Sequence, residues 1–382
     1  MNKLLSLILV LMASTATAQI TEPADTTVVS LHIEGKFLYT PCDTVVYILP
    51  FPGDPHTVPY ATARVRDGRF SYDFVTTDAA SPYSLWTEGD LHRGFYTPGV
   101  FLAVNDTLHF TFDRPHRSPL MQALSADNRE LAAFRDTCNR RFDFREVFER
   151  SYDFACKGED YRPSPEEQQW RVAGITGKQA YEEEYIRTHH TLTSLYLVMD
   201  CMFKNRQYTP AVYDSIYLAD LVHRFPGNVM HEYIRGQMAA REMRVGGRMI
   251  DITAPDADGR MHRLADLTRG RVAWVDIWAS WCAPCREKSR AMIPVYEAWK
   301  DRGFTVVGLS REQKVDHMVR AARRDGYPWT NLVLLNDDYR HWYTSDSFFG
   351  STFLLDRDGT ILAIDPTREE VEALLEKLLP SD

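Results

Sequence analysis

The pattern of apolar and polar positions divides this chain into three stretches behind a short apolar leader. Between residues 27 and 113 the apolar residues fall in short runs rich in β-branched and aromatic side chains: Val28 to Ile33, Thr44 to Leu49, Arg69 to Val75, Ser81 to Trp86 and Val100 to Phe112. Such runs predict strands. Turn signals separate them at Pro41-Cys42-Asp43, Pro52-Gly53-Asp54, Asp67-Gly68, Pro98-Gly99 and Asn105-Asp106. A succession of short strands predicts a β-sandwich-like unit. From 120 to 245 the chain reads as helical, over Asn128 to Arg150, Gln179 to Phe203 and Thr209 to Val245. Pro163, Pro165 and Gly174-Ile175-Thr176-Gly177 are expected to break the first helix from the second, and Pro226-Gly227-Asn228 to interrupt the third. Tyr196, Met199, Met202 and Phe203 stand at helical spacing and are expected in the core. In the last stretch Val272 to Trp278 reads as a buried strand and Arg286 to Lys300 as a helix. Val315, Met318, Val319 and Ala322 predict a further amphipathic helix, with Arg320, Arg323 and Arg324 on its solvated faces. Thr367-Arg368-Glu369-Glu370 is a capping box, and Val371, Leu374, Leu375, Leu378 and Leu379 follow it at helical spacing.

Candidate chemistry concentrates between the predicted strand and helix, in Trp281-Cys282-Ala283-Pro284-Cys285. Two cysteines so spaced at a strand-to-helix junction form a redox motif. Cys282 at a helix N-terminus, partly exposed, meets unpaired N–H groups and about half a positive charge, which favour its thiolate. Such placement lowers a cysteine from about 8.5 to roughly 3.5–7.5 in pKa. Cys285, three residues on, lies on the same helix face and is positioned to resolve a mixed disulfide. Pro284 in the first turn loses little by lacking an N–H. Asp276 interrupts the apolar strand six positions before Cys282. Buried, it has a raised pKa and suits a general base for Cys285; on an edge strand it is simply exposed. A structural zinc site would need a second such pair or a His-x₃₋₅-His partner, and the sequence has neither downstream. No metal and no cofactor are expected.

From about Val245 to Asp382 the chain resembles the TlpA/ResA-like reductases of the thioredoxin superfamily. The matching segments are Ile250-Asp251-Ile252-Thr253-Ala254-Pro255 with Asp258-Gly259, Val275 to Arg286, Phe304 to Ser310 and Thr352 to Gly359. The resemblance implies an α/β thioredoxin fold with Cys282 and Cys285 as the catalytic pair and Asp276 at the position of thioredoxin's buried aspartate. It also implies a substrate groove around Trp281, Pro284, Gly350 and Ser351. There the family places a cis-proline, and this chain has Phe348-Phe349-Gly350-Ser351-Thr352. In the family this groove pairs with substrate backbone. Lys288 and Arg290 stand where relatives tend to have Glu and Pro, predicting a more basic surround for Cys282. Val65 to Phe70 and Phe101 to Thr107 resemble the N-terminal β domain that precedes thioredoxin domains in many Bacteroidetes proteins.

Composition narrows the partners. A net charge of −9 over 382 residues lacks the basic footprint of nucleic-acid binding. Lys3, the apolar run Leu4 to Met12 and Ala16-Thr17-Ala18 read as a signal peptide over 1–18, with an apolar run too short to span a bilayer. The expected chain is exported, periplasmic in a Gram-negative source. Cys42, Cys138, Cys156 and Cys201 are left to pair or to stay as buried thiols, and four cysteines allow three pairings. Glu182-Glu183-Glu184 and His189-His190 are expected to be a solvated helix face and surface histidines rather than a metal site.

The expected organisation is a signal peptide at 1–18, a β-rich unit at 19–115, a helical region at 116–245 and a thioredoxin-like domain at 246–382. The expected activity is reduction of disulfides in envelope proteins, with re-reduction by a membrane electron donor. The competing expectations are an oxidase or isomerase, a thioredoxin-fold peroxidase, and a binding module with a degenerate redox domain. Oxidases and isomerases favour His between the cysteines, where this chain has Ala283-Pro284. The peroxidase pattern Pro-x-x-x-Thr/Ser-x-x-Cys is not met before Cys282.

Overall fold

The computed structural model describes residues 28–41, 45–52, 61–89, 99–115, 117–147, 149–150, 163–205, 211–241, 243–312, 314–335 and 352–379. The expected signal peptide, Cys42, Cys156, Gly350 and Ser351 lie outside these residues.

The β-rich region folds as two four-stranded sheets. One has the order β4-β1-β7-β8, with β1 Val29–Phe37, β4 Arg69–Thr76, β7 Asp106–Phe112 and β8 Leu120–Ala123. The other has the order β3-β2-β5-β6, with β2 Val45–Pro50, β3 Ala61–Arg64, β5 Pro82–Thr87 and β6 Gly99–Leu102. Alternation along β1 buries Val29, Leu31, Ile33 and Phe37 on one face. They share a core with Val46, Ile48, Leu85 and Phe101 of the second sheet, so the two sheets pack as a sandwich. The single strand expected over Val100 to Phe112 is two strands, β6 and β7, in different sheets. Ala103–Asn105 carry the chain across, and the Asn105-Asp106 turn signal lies at the junction. The short strands β3 and β8 have too little β-branched character to show in the sequence.

The middle region is helical: α1 Ala126–Phe142, α2 Pro165–Thr188, α3 Leu192–Asn205, α4 Ala211–Ile216 and α5 Met230–Ala240. Helix α1 starts on the Ser125 side chain, which accepts the Asn128 N–H, and stops well short of Arg150 because Asp143 turns left-handed at φ 48°. The expected break at Gly174–Gly177 does not occur; both glycines lie inside α2. A Cβ at Gly174 would stand 2.7 Å from Val147 Cγ2, and one at Gly177 2.7 Å from Phe142 Cδ1. These glycines let neighbouring chain approach the helix rather than ending it. The helix starts instead at Pro165, in its first turn, behind the capping side chain of Ser164. The helix expected over Gln179 to Phe203 is divided, because His189 adopts an extended backbone between α2 and α3. Tyr196, Met199 and Met202 are buried in the helical core as expected. Glu182 is not on a solvated face: it is buried and pairs with Lys178. His190 approaches Asp220 at 2.7 Å, and the His189 ring stacks on Tyr185. Cys138 is a buried thiol whose pKa burial pushes up to about 11, and Cys201 is buried in the same core.

The C-terminal region opens with a hairpin, β9 Thr253–Pro255 and β10 Met261–Arg263, and a short helix, α6 Leu264–Thr268. It then builds a five-stranded sheet of order β13-β12-β11-β14-β15. Strands β11 Val272–Trp278, β12 Phe304–Glu312 and β13 Thr330–Leu335 run parallel, and β14 Thr352–Leu355 and β15 Ile361–Ile364 close the edge antiparallel. Helices α7 Ala283–Trp299, α8 Val315–Asp325 and α9 Arg368–Leu378 cover it. The capping box forms as expected, with Thr367 and Glu370 exchanging bonds at the start of α9. Met318 of α8 is buried, whereas Val319 is 37% exposed. The helical region does not end where this sheet begins. Ala240 and Met243 pack into the core formed by Ile252, Val275, Leu309 and Phe353. Gly246 N–H donates to the Ile361 carbonyl at 2.8 Å, and Ile361 N–H to Gly247 at 2.8 Å. Among the described residues no helix is long and apolar enough to cross a membrane.

Candidate active site

Every residue of β11 is buried, as a central strand covered on both faces requires. Period-2 alternation sends Ala273, Val275 and Ile277 to one core. Trp274, Asp276 and Trp278 fall on the opposite face, where Trp274 meets Met292 and Val295 of α7. A carboxylate thus occupies an otherwise apolar face. Asp276 is 2% exposed, and burial pushes its carboxyl up to about 7, against the opposing pulls of the Ser289 hydroxyl and the Lys288 ammonium. The buried setting holds, not the exposed edge.

Asp276 faces Gly308 on β12 in the strand register. A Cβ at Gly308 would overlap the Asn331 amide and stand 2.8 Å from Trp278 Nε1. These two groups are joined by a 3.0 Å hydrogen bond donated by Trp278. Gly308→Ala is expected to break that bond and lower stability by about 1–3 kcal/mol, read as a fall in thermal midpoint; an unchanged midpoint would contradict this packing.

Cys282 caps α7, and Pro284 lies in the first turn. Cys282 and Cys285 form a disulfide, with Cα atoms 5.4 Å apart. Cys285 N–H points at Cys282 Sγ from 3.3 Å, the cap bond a thiolate at this position would accept. Cys282 was expected partly exposed and is 2% exposed in this oxidised state. The surface next to it is formed by the exposed Ala283 and Pro284 and the half-buried Trp281 and Cys285. Of the residues expected to form a substrate groove, Trp281 and Pro284 flank the disulfide, while Gly350 and Ser351 lie outside the described residues.

Ser289 connects the acid to the pair. Its hydroxyl is 2.5 Å from Asp276 Oδ2 and 3.0 Å from the Cys285 carbonyl oxygen. It lies one helical turn after Cys285, on the same face. Ser289 was not among the residues expected at the site, because its contact with Asp276 appears only once α7 packs on β11. The predicted basic surround takes a different form. Arg286 forms a two-pronged pair with Asp325 at 2.6 Å, and Arg290 approaches the same carboxylate at 3.4 Å. Lys288 Nζ donates to Thr352 Oγ1 at 2.8 Å and approaches Asp365 at 3.3 Å. These cations are engaged by acids, and Lys288 acts on Asp276, whose ionisation it favours.

Residues 245–364 match the model of the AhpC/TSA family. The chain is similar to the thiol–disulfide oxidoreductase ResA of Geobacillus kaustophilus, 27% identical over 139 residues, covering 36% of this chain and 79% of the relative. It is also similar to ResA of Bacillus thuringiensis, 23% identical over 158 residues, covering 40% and 90%. Among solved structures, the thioredoxin domain of a thiol–disulfide oxidoreductase from Bacteroides vulgatus is 27% identical, covering 36% of this chain and 98% of that one, at a TM-score of 0.33. The disulfide at the head of α7, the sheet order and the curated relatives agree: the C-terminal part of the chain has a thioredoxin fold, matches the AhpC/TSA model over residues 245–364, and is a thiol–disulfide oxidoreductase similar to the ResA proteins.

Proposed function

We propose that the protein is an exported reductase of disulfides in envelope proteins. The observation that carries this reading is the Cys282–Cys285 pair at a helix N-terminus, above the buried Asp276. In the reduced protein the Cys282 thiolate attacks one sulfur of a substrate disulfide. A mixed disulfide forms and one substrate thiolate leaves. Asp276, ionised, takes the proton of the Cys285 thiol, with the Ser289 hydroxyl between its carboxylate and the Cys285 backbone. Cys285 then attacks Cys282 Sγ and releases the second substrate thiolate. Two electrons have passed to the substrate, and the pair is left oxidised, as in this structure. A membrane electron donor restores the dithiol.

Export follows from the leader at 1–18, and the working units are the β-rich region 19–115, the helical region 116–245 and the redox domain 246–382. The two-sheet sandwich supports the likeness of the first unit to the Bacteroidetes β domain. A peroxidase is not supported, since Val275 and Ala279 stand where that pattern has Pro and Thr/Ser.

The reduction potential of the pair, titrated against a thiol buffer, tests the direction of transfer. A value at or below about −250 mV is expected for a reductant; about −120 to −180 mV would make it an oxidant or isomerase and reverse the assignment.

A further inference from the structure

A second buried carboxylate lies beside the redox pair, outside the exchange chemistry. Glu312 ends β12, and its side chain is 0% exposed. A buried carboxylate is costly unless its oxygens are hydrogen-bonded. Ser280, two residues before Cys282, supplies most of what Glu312 accepts. Its backbone N–H donates to Oε1 at 2.5 Å, and its hydroxyl donates to Oε2 at 3.0 Å. Ser310 Oγ adds a bond to Oε1 at 3.2 Å, and His317 of α8 stands 3.7 Å away. Burial pushes the Glu312 carboxyl up while the Ser280 and Ser310 bonds hold it down. The preceding residue repeats the arrangement. Arg311, also buried, places its guanidinium 5.4 Å from the centroid of the Trp281 ring. Two consecutive residues at the end of one strand thus grip two consecutive residues of the loop that delivers Cys282.

We propose that Glu312 is a positioning residue for the redox pair: by accepting both the N–H and the hydroxyl of Ser280, it fixes the loop that sets Cys282 at the head of α7. The proposal rests on the thiol–disulfide exchange assigned to this pair. Nothing in it requires Glu312 to touch substrate. Its action is geometric, because the N-cap bond to Cys282 Sγ requires the loop and helix to keep their relative placement.

The test uses the full chain with Glu312→Ala, Glu312→Gln and Ser280→Ala. Three readouts are taken: the pH dependence of Cys282 alkylation in the reduced protein, the exchange equilibrium with glutathione, and thermal melting. Glu312→Ala is expected to shift the glutathione equilibrium by at least about threefold and to slow reduction of a model disulfide about tenfold. Glu312→Gln keeps an acceptor for the Ser280 N–H and is expected within about twofold of the parent. Should Glu312→Ala fail to fold, Ser280→Ala keeps the carboxylate and removes only the hydroxyl bond; it is expected to move both thiol readouts in the same direction, by a smaller factor. Parental thiol titration and equilibrium in folded Glu312→Ala, or in Ser280→Ala, would overturn the proposal. So would a Glu312→Gln variant as impaired as Glu312→Ala, which would make charge and not placement the cause. A parent chain unable to exchange with glutathione would overturn the reading of the pair as well, so the two failures are distinguishable.

Discussion

Cys282→Ser is expected to lose disulfide reduction by at least about a thousandfold while the chain still folds. The serine hydroxyl cannot attack a disulfide sulfur near neutral pH, and Cys285, which remains in the first turn of α7, is not the N-cap residue. The loss is chemical because the Cys282–Cys285 disulfide closes a very short loop, so its removal costs roughly 2 kcal/mol of stability. Cys285→Ser separates the two steps. It retains the attacking thiol and lacks the resolving one, so a covalent adduct with the substrate should accumulate and be visible by mass spectrometry. An active Cys282→Ser variant, or a Cys285→Ser variant that turns over without adduct, would refute the assigned order of attack.

Asp276→Asn is expected to give a more stable but slower protein at pH 8. In the folded chain the Asp276 carboxyl titrates at about 7, raised by burial from an ordinary 3.8. Below about pH 4 both folded and unfolded chains hold the proton, and the residue costs nothing through this linkage. Between about 4 and 7 the unfolded chain releases it and the folded chain does not, so stability falls as pH rises. Above about 7 the loss is complete, on the order of several kcal/mol before local relaxation. Asparagine has no such proton and still accepts the Ser289 hydroxyl, so its melting advantage should appear at pH 8 and vanish near pH 4. The same substitution removes the proposed base for Cys285, and the resolving step is expected to slow about 100-fold. A merely structural Asp276 would predict stability and rate falling together.

Much of the redox domain was legible because its physics is local. The apolar run Val272–Trp278, the cysteine pair and the capping box at Thr367 each announce themselves within a few residues. Asp276 was legible for the opposite reason, as a charge in a run that excludes charge. Glu312 and Ser289 were not, because each belongs to an ordinary polar–apolar mixture and becomes special only when a distant segment folds over it. Ser280 lies 32 positions from Glu312. Gly174 and Gly177 misled for a related reason. A helix interior disfavours glycine, but the contact with Phe142 and Val147 demands it, and that demand is tertiary. In the β-rich region, the run from Val100 to Phe112 hid a sheet crossing, since both halves carry strand-forming apolar and aromatic residues.

The packing of Ala240 and Met243 beneath the five-stranded sheet bears on how such a domain is passed between genes. A recombination event that cut at the start of the resemblance would carry the catalytic loop intact yet leave two apolar sockets open to water. A cassette that kept this packing would include the end of α5 and the residues through Met243, and so would begin upstream of the resemblance, within the helical region. The donor's helix then comes along as a fixed adaptor, and whatever stands before it can change while the orientation of the redox face relative to that helix is inherited.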